Sequence, residues 1–437
     1  MRPCRSAQWI GMAALFASAT SSPGASDGPV TQKQLDEVRQ QNQQLQQEIT
    51  RQRQLLEELQ KKLSAVERNS PPAPPAEPAE PVVARKIGSG FSLGKVNLGM
   101  EGGLAFFRSE SAGSAPHAEF RVDEARLFLE ANIWKDVYVF SEINLTTRED
   151  GNVFLQAGEL YVDFENISRL WNRDRQLNLR VGRMDIPFGE EYLTRDAIDN
   201  PLISHSLSDL WGIDEGVELY GSIAQVQYAL AVQNGGHPAL RDYDADKSIA
   251  IRVGYDPVKW LHVSGSAMRT GALTVQGDVF SELWFGNGFI RSLGSATKFQ
   301  ANLLEGDVRL RWPQGHVAAA GGYINYDDND ATVNNQREVY YYYVEALQHL
   351  TPKLYGAARW SQILAPEGFP VAGDGSYFDY YMSELTRDLW RLSLGAGYQW
   401  SPNLLLKAEY TFNQGKALGG EKRTHENLAA AELAFRF

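Results

Sequence analysis

Leu433-Ala434-Phe435-Arg436-Phe437 closes the sequence, and its side chains alternate. In an extended strand Leu433, Phe435 and Phe437 share one face, and Ala434 and Arg436 the other. In a soluble protein such a terminal strand exposes a hydrophobic edge. In a closed membrane barrel it pairs with the first strand, and the apolar face meets lipid. The same period of two recurs upstream: Leu404, Leu406, Ala408, Tyr410, Phe412; Leu392, Leu394, Ala396, Tyr398, Trp400; and Ile249, Ile251, Val253, Tyr255. Further back come Leu177, Leu179, Val181 and Ala125, Leu127, Leu129, Ala131, Ile133. Several series end in Trp or Tyr, as strands do where they cross a membrane interface. The mean hydropathy of −0.36 resembles that of a soluble chain. Spanning barrels share that property, because each strand shows lipid only at every second residue. A soluble exported β protein is the alternative.

Asp256-Pro257, Trp312-Pro313, Thr351-Pro352 and Ser401-Pro402 separate neighbouring strands and suit tight turns. Longer polar connections alternate with them, such as Asp327 to Arg337 and Pro366 to Phe378. Allowing about 22 residues per strand plus connection, residues 91–437 make about 16 strands. The expected fold is therefore all-β: a transmembrane antiparallel β-barrel of about 16 strands, wide enough to enclose water, preceded by an α-helical coiled coil.

The helical part lies in residues 31–69. With Leu35 at position a, the a series is Leu35, Asn42, Ile49, Leu56, Leu63 and the d series Val38, Leu45, Gln52, Leu59, Val66. This apolar heptad seam needs a partner helix, and Thr31 with Gln34 fits a capping box at its start. Asn42 at a leans towards dimers, and the mixed Ile and Leu core leaves a trimer open. Residues 70–85 follow as a stiff Pro-rich linker, with six prolines between Pro71 and Pro81. Residues 1–19 read as a secretory signal, with Arg2 and Arg5 before a short apolar run and Ala17-Ser18-Ala19 as the cleavage site. The single cysteine, Cys4, falls within it. The expected location is the bacterial outer membrane, with the N-terminal region in the periplasm.

The first 85 residues carry 10 basic and 9 acidic side chains, leaving 32 and 45 for the remainder, a net −13 there. That balance argues against nucleic acid. Gly90-Phe91-Ser92-Leu93-Gly94 has the letters of a hydrolase nucleophile elbow. It lacks the strand-to-helix turn and downstream His that the chemistry needs. The histidines show no metal-ligand spacing. The reading is of a non-enzyme with no cofactor and no metal.

The informative residues are those opposite the apolar series. Arg126, Arg180, Arg252, Arg309, Arg311, Arg359 and Arg391 fall on the inward parity, as do acids such as Glu142, Glu159, Asp163 and Glu218. Inward arginines can form a ladder that replaces an anion's hydration along a pore, or they can pair with neighbouring carboxylates and brace the wall. One connection, Pro187 to Gly212, is too long for a hairpin, and Leu193, Ile198, Leu202 and Ile203 in it need a surface to pack on. Folded inward, it would place Arg195, Asp196, Asp199, His205 and Asp209 at a constriction; folded outward, it would be an extracellular cap.

Val181-Gly182-Arg183-Met184-Asp185-Ile186-Pro187-Phe188 before this loop, the strand layout and the terminal Phe437 resemble the phosphate-selective porin O and P family over residues 91–437. The resemblance implies a trimeric outer-membrane channel of 16 strands, passing small hydrophilic solutes, anions such as phosphate among them. The expected partners are two further copies of the chain, outer-membrane lipid, those solutes and, through the coiled coil, the cell wall. A tether, in which the barrel only anchors the coiled coil, and a barrel hydrolase are the competing readings.

Overall fold

The structure, a computed structural model, describes residues 91–437 except 94, 147–154, 195, 208–209, 211, 236–244, 275–297, 329–335 and 370–384. The signal, the coiled coil at 31–69 and the linker at 70–85 lie outside the described residues.

Sixteen strands of eight residues or more form the wall. They are β1 Val96–Ser109, β2 Glu119–Trp134, β3 Val137–Thr146, β4 Gln156–Phe164, β5 Asn178–Asp185, β6 Ile213–Ile223, β7 Val226–Gln233 and β8 Ser248–Val258. The second half comprises β9 Leu261–Arg269, β10 Lys298–Trp312, β11 Gly315–Asp327, β12 Arg337–His349, β13 Leu354–Phe369, β14 Thr386–Ser401, β15 Leu404–Ala417 and β16 Leu428–Arg436. Every strand pairs antiparallel with its sequence neighbours, and β16 pairs with β1 from Leu428↔Ser109 to Arg436↔Glu101. The seam closes with reciprocal backbone bonds of 2.9 Å between Met100 and Phe437. Phe91–Leu93 pairs antiparallel with the start of β1; Gly90 and Gly94 of the elbow-like letters lie outside the described residues.

The burial alternation explains why these segments are strands. In β15, Leu406, Ala408, Tyr410 and Phe412 are exposed on the outer face, while Lys407, Glu409, Thr411 and Asn413 are buried on the inner one. A solvent-facing wall of Leu, Val and Tyr is stable only against hydrocarbon. Aromatic side chains mark one rim: Trp134, Trp312 and Trp400 at strand ends and Trp260 in the turn after β8 are all 40–78% exposed. All the connections at that end are short turns but one, and that one spans 165–177. The long connections, including 186–212, are at the other end. Two turn placements differ from the sequence reading. Asp256-Pro257 continues β8 to Val258, because the proline only costs a donor at the strand's last residues. Likewise Pro366 lies within β13, beside the register shift between Leu364 and Phe369.

Candidate functional site

The segment leaving β5 is turned by backbone geometry. Gly182 has φ +141°, and a Cβ there would collide with the Leu160 carbonyl on β4. Gly189 has φ +66°, in the left-handed region where glycine is unstrained. Its N–H donates to Ser266 Oγ on β9 at 3.1 Å, and a Cβ would meet Glu305 on β10. From that point the chain runs through the helical turn Glu191–Thr194 and on across the interior of the barrel.

Its contacts are with inner-face side chains of strands on the far wall. Lys407 of β15 donates to the carbonyls of Ala197 (2.7 Å) and Leu202 (3.0 Å). Arg359 of β13 donates to the Ser204 carbonyl (2.7 Å) and Asn200 Oδ1 (2.9 Å), and Arg391 of β14 to the His205 carbonyl (3.1 Å). Glu409 accepts from the N–H groups of Ile203 (2.5 Å) and Ser204 (2.8 Å) and from the Ser204 hydroxyl. Tyr355 donates to the Pro201 carbonyl at 3.0 Å, and Ser361 accepts from the Leu207 N–H at 3.2 Å. An irregular segment at membrane depth has no ladder to satisfy its backbone, and every orphan group there is costly. Here the wall charges supply those partners. Apolar packing adds to this: Leu202 and Ala197 bury against Tyr355, Ala357, Leu405 and Ala434, and Ile186, Phe188, Leu207 and Leu210 against a cluster that includes Phe299, Ile324 and Leu389. The segment is therefore an internal loop, and these contacts exclude an external cap.

The sequence-predicted residues divide accordingly. Arg126 of β2 pairs with Glu124 and with loop Asp196, each at 3.4 Å. Asp196 and Asp199 both meet Arg436 Nη2, at 3.2 and 2.6 Å. Arg180 lies 4.3 and 5.0 Å from the ring centroids of Tyr161 and Tyr220, and bonds Asp163 and Glu218 at 3.2 Å. Arg252 reaches Glu190 at 3.5 Å, and Arg359 holds Glu345 at 2.5 Å. His205 contributes its carbonyl to the Arg391 contact. Arg195 and Asp209 lie outside the described residues. Arg309 and Arg311, neighbours on the inner face of β10, are half-buried and make no ion pair among the described residues. An open arginine ladder is thus not what the wall presents: five of the seven arginines are braced, and two have no ion pair among the described residues. Burial raises the Glu190 carboxyl, but the His262 hydrogen bond at 2.6 Å and the Arg252 charge outweigh it and hold it at about 2.

Parity in the sequence places Lys407 and Glu409 on the inward face opposite the Leu404–Phe412 series, but not against the loop. Glu190, Asn200, Ser204 and Arg436 are not singled out as site residues by the sequence. Asn200 and Ser204 act through a loop conformation that no periodicity encodes.

The comparisons agree with this architecture. No protein-family model matches the chain, and no curated protein matches it by sequence. Among solved structures it is similar to the outer-membrane channel DcaP of Acinetobacter baumannii, at 11% identity and TM-score 0.53 over 80% of this chain and 99% of that one. It is similar to OmpT of Vibrio cholerae, at 10% and 0.52 over 78% and 97%, a protein also solved in a trimer form (TM-score 0.50). It also resembles an anion-selective porin from Comamonas acidovorans, at 11% and 0.51 over 78% and 98%. The shared feature is the fold: a closed, 16-stranded antiparallel barrel of the outer-membrane porin type.

Proposed function

We propose that the chain is an outer-membrane porin, a passive channel for small hydrophilic solutes, assembled as a homotrimer with its coiled coil in the periplasm. The observation that carries this reading is the internal loop: a transmembrane barrel that only anchored a tether has no need of a segment laid across its lumen and clasped by Lys407, Glu409, Arg359 and Arg391. A narrowed stretch of water-filled lumen is where solutes are selected. Arg309 and Arg311 add a preference for anions, phosphate among them, because no ion pair among the described residues cancels their charge. The trimer draws support from the heptad seam at 31–69, and periplasmic placement from the short-turn end at which β1 begins and β16 ends. Purified protein in planar bilayers tests the proposal. Stepwise ohmic conductance with an anion-directed reversal potential in a salt gradient is expected; a barrel that inserts without steps overturns the porin reading.

A further inference from the structure

The connection between β4 and β5 stands apart at the short-turn end. Its counterparts there are turns at 135–136, 224–225, 259–260, 313–314, 350–353 and 402–403, whereas this one covers 165–177. Its shape is fixed by its own hydrogen bonds. Ile167–Trp171 forms a 3-10 helix between Asn166 and Asn172, both in the left-handed conformation. Asn166 Oδ1 accepts from the Arg175 N–H (2.8 Å), and Asn166 Nδ2 donates to Asp174 (2.7 Å). Ser168, fully buried, accepts from the Gln176 N–H at 3.0 Å. Tyr228, on the outer face of β7, donates to the Gln176 carbonyl at 2.7 Å, which ties the connection to the lipid side of the wall.

This rigid apron holds Leu170 at 84% and Trp171 at 52% exposure, in line with the exposed Trp134, Trp260, Trp312 and Trp400 of the same rim. Arg169, Arg173 and Arg175 flank them in sequence, all exposed. Arg169 is held by Asp136 at 3.1 Å; Arg173 and Arg175 make no ion pair among the described residues. An ordered, exposed apolar pair flanked by cations, at the end of the barrel that carries the aromatic belt, has the chemistry of an interfacial anchor. The guanidinium fork also matches a phosphodiester.

We propose that residues 166–175 form a binding site for an anionic phospholipid of the periplasmic leaflet. Arg173 and Arg175 hold the headgroup phosphate, and Leu170 and Trp171 enter the boundary between headgroups and acyl chains. The proposal rests on the membrane-barrel reading with the short turns at the periplasmic face, and it is independent of conduction.

The test is native mass spectrometry of the full-length protein in detergent, titrated with phosphatidylglycerol or phosphatidylethanolamine. Wild type should retain phosphatidylglycerol in preference. Arg173→Gln/Arg175→Gln should weaken that retention on the order of tenfold, because each basic side chain near an anionic surface contributes a several-fold factor, and should weaken phosphatidylethanolamine less, because its own ammonium already offsets the phosphate. Leu170→Ser/Trp171→Ser should weaken both. Retained heat-modifiable mobility on gels shows that the variants keep a closed barrel. Equal retention in the arginine variant overturns the proposal. So does displacement of the lipid by millimolar inorganic phosphate, which would make the site a free-anion site. A change in oligomeric mass in place of lipid count would make it a contact between copies and overturn it equally. A protein that retains the lipid but does not conduct refutes the porin reading and sustains this one.

Discussion

Arg359→Met separates a structural clasp from a pore charge. Arg359 is 1% exposed and bonds Glu345 through Nε (2.9 Å) and Nη2 (2.5 Å), the Ser204 carbonyl at 2.7 Å and Asn200 at 2.9 Å. Methionine fills much of the volume but leaves Glu345, itself 1% exposed, without its cation and strips two loop acceptors of their donors. Removing one partner of a buried pair costs about 3–5 kcal/mol. His316, 3.4 Å from the other Glu345 oxygen, offsets part of that, so about 3 kcal/mol should fall on the loop. The backbone ladder keeps the wall closed, so the loss appears as local opening of residues 200–207 and not as barrel unfolding. About 3 kcal/mol corresponds to roughly a hundredfold in the opening equilibrium. Hydrogen exchange followed by mass spectrometry should therefore show amides of Ile203, Ser204 and Leu207 exchanging about a hundred times faster, with the β13 and β15 amides unchanged. Arg359→Met/Glu345→Leu should recover part of the protection, because the Glu345 charge is gone while Glu191, 3.7 Å from Arg359, keeps its own. Unchanged loop exchange together with a shifted reversal potential would refute the clasp and return Arg359 to the pore.

Arg309→Gln/Arg311→Gln should move the reversal potential towards cations, while Arg180→Gln/Glu218→Gln, which removes one charge of each sign from an ion pair, should move it far less; equal shifts would count against the distinction. Leu45→Asp/Ile49→Asp should dissociate the 31–69 helix in sedimentation, and a wild-type segment that is monomeric at micromolar concentration would remove the coiled coil. Glu190 has a depressed folded pKa of about 2. Its contribution is full above the ordinary carboxylate range and is lost as pH falls from there to about 2. Exchange at Glu190 and Glu191, corrected for intrinsic rate, should rise below about pH 4 as the carboxylate is protonated; exchange that stays flat down to about pH 3 would contradict the sign.

The barrel was legible because lipid imposes a period of two that the sequence must obey: Leu392 to Trp400 and Leu404 to Phe412 could be assigned a face from their letters alone. The turns were legible where proline falls between strands, as at Pro313, Pro352 and Pro402, and misplaced where it ends one, as at Pro257. The inner face was harder. Parity says that Arg126, Arg180 and Arg391 point inward, but not whether water, a carboxylate or a carbonyl meets them. That depends on which strands the loop crosses, and the partners are distant in sequence: Lys407 with Ala197, Glu409 with Ile203, Arg436 with Asp199. The loop's apolar residues signalled that it must pack on something. Its direction was set by Gly189 and by wall charges 155 or more residues away.

The central claim is that 186–212 lies inside the barrel against β13–β15, and a cross-link tests it most directly. Ser204 Oγ on the loop and Ser393 Oγ on β14 are 3.3 Å apart, so cysteines there can reach the S–S distance of about 2.05 Å with only small adjustment. In a Cys4→Ser background, Ser204→Cys/Ser393→Cys should form an intramolecular disulfide in most chains on mild oxidation, read as loss of both free thiols by intact mass. Persistence of both thiols in a closed, heat-modifiable barrel would place the loop elsewhere and contradict the account.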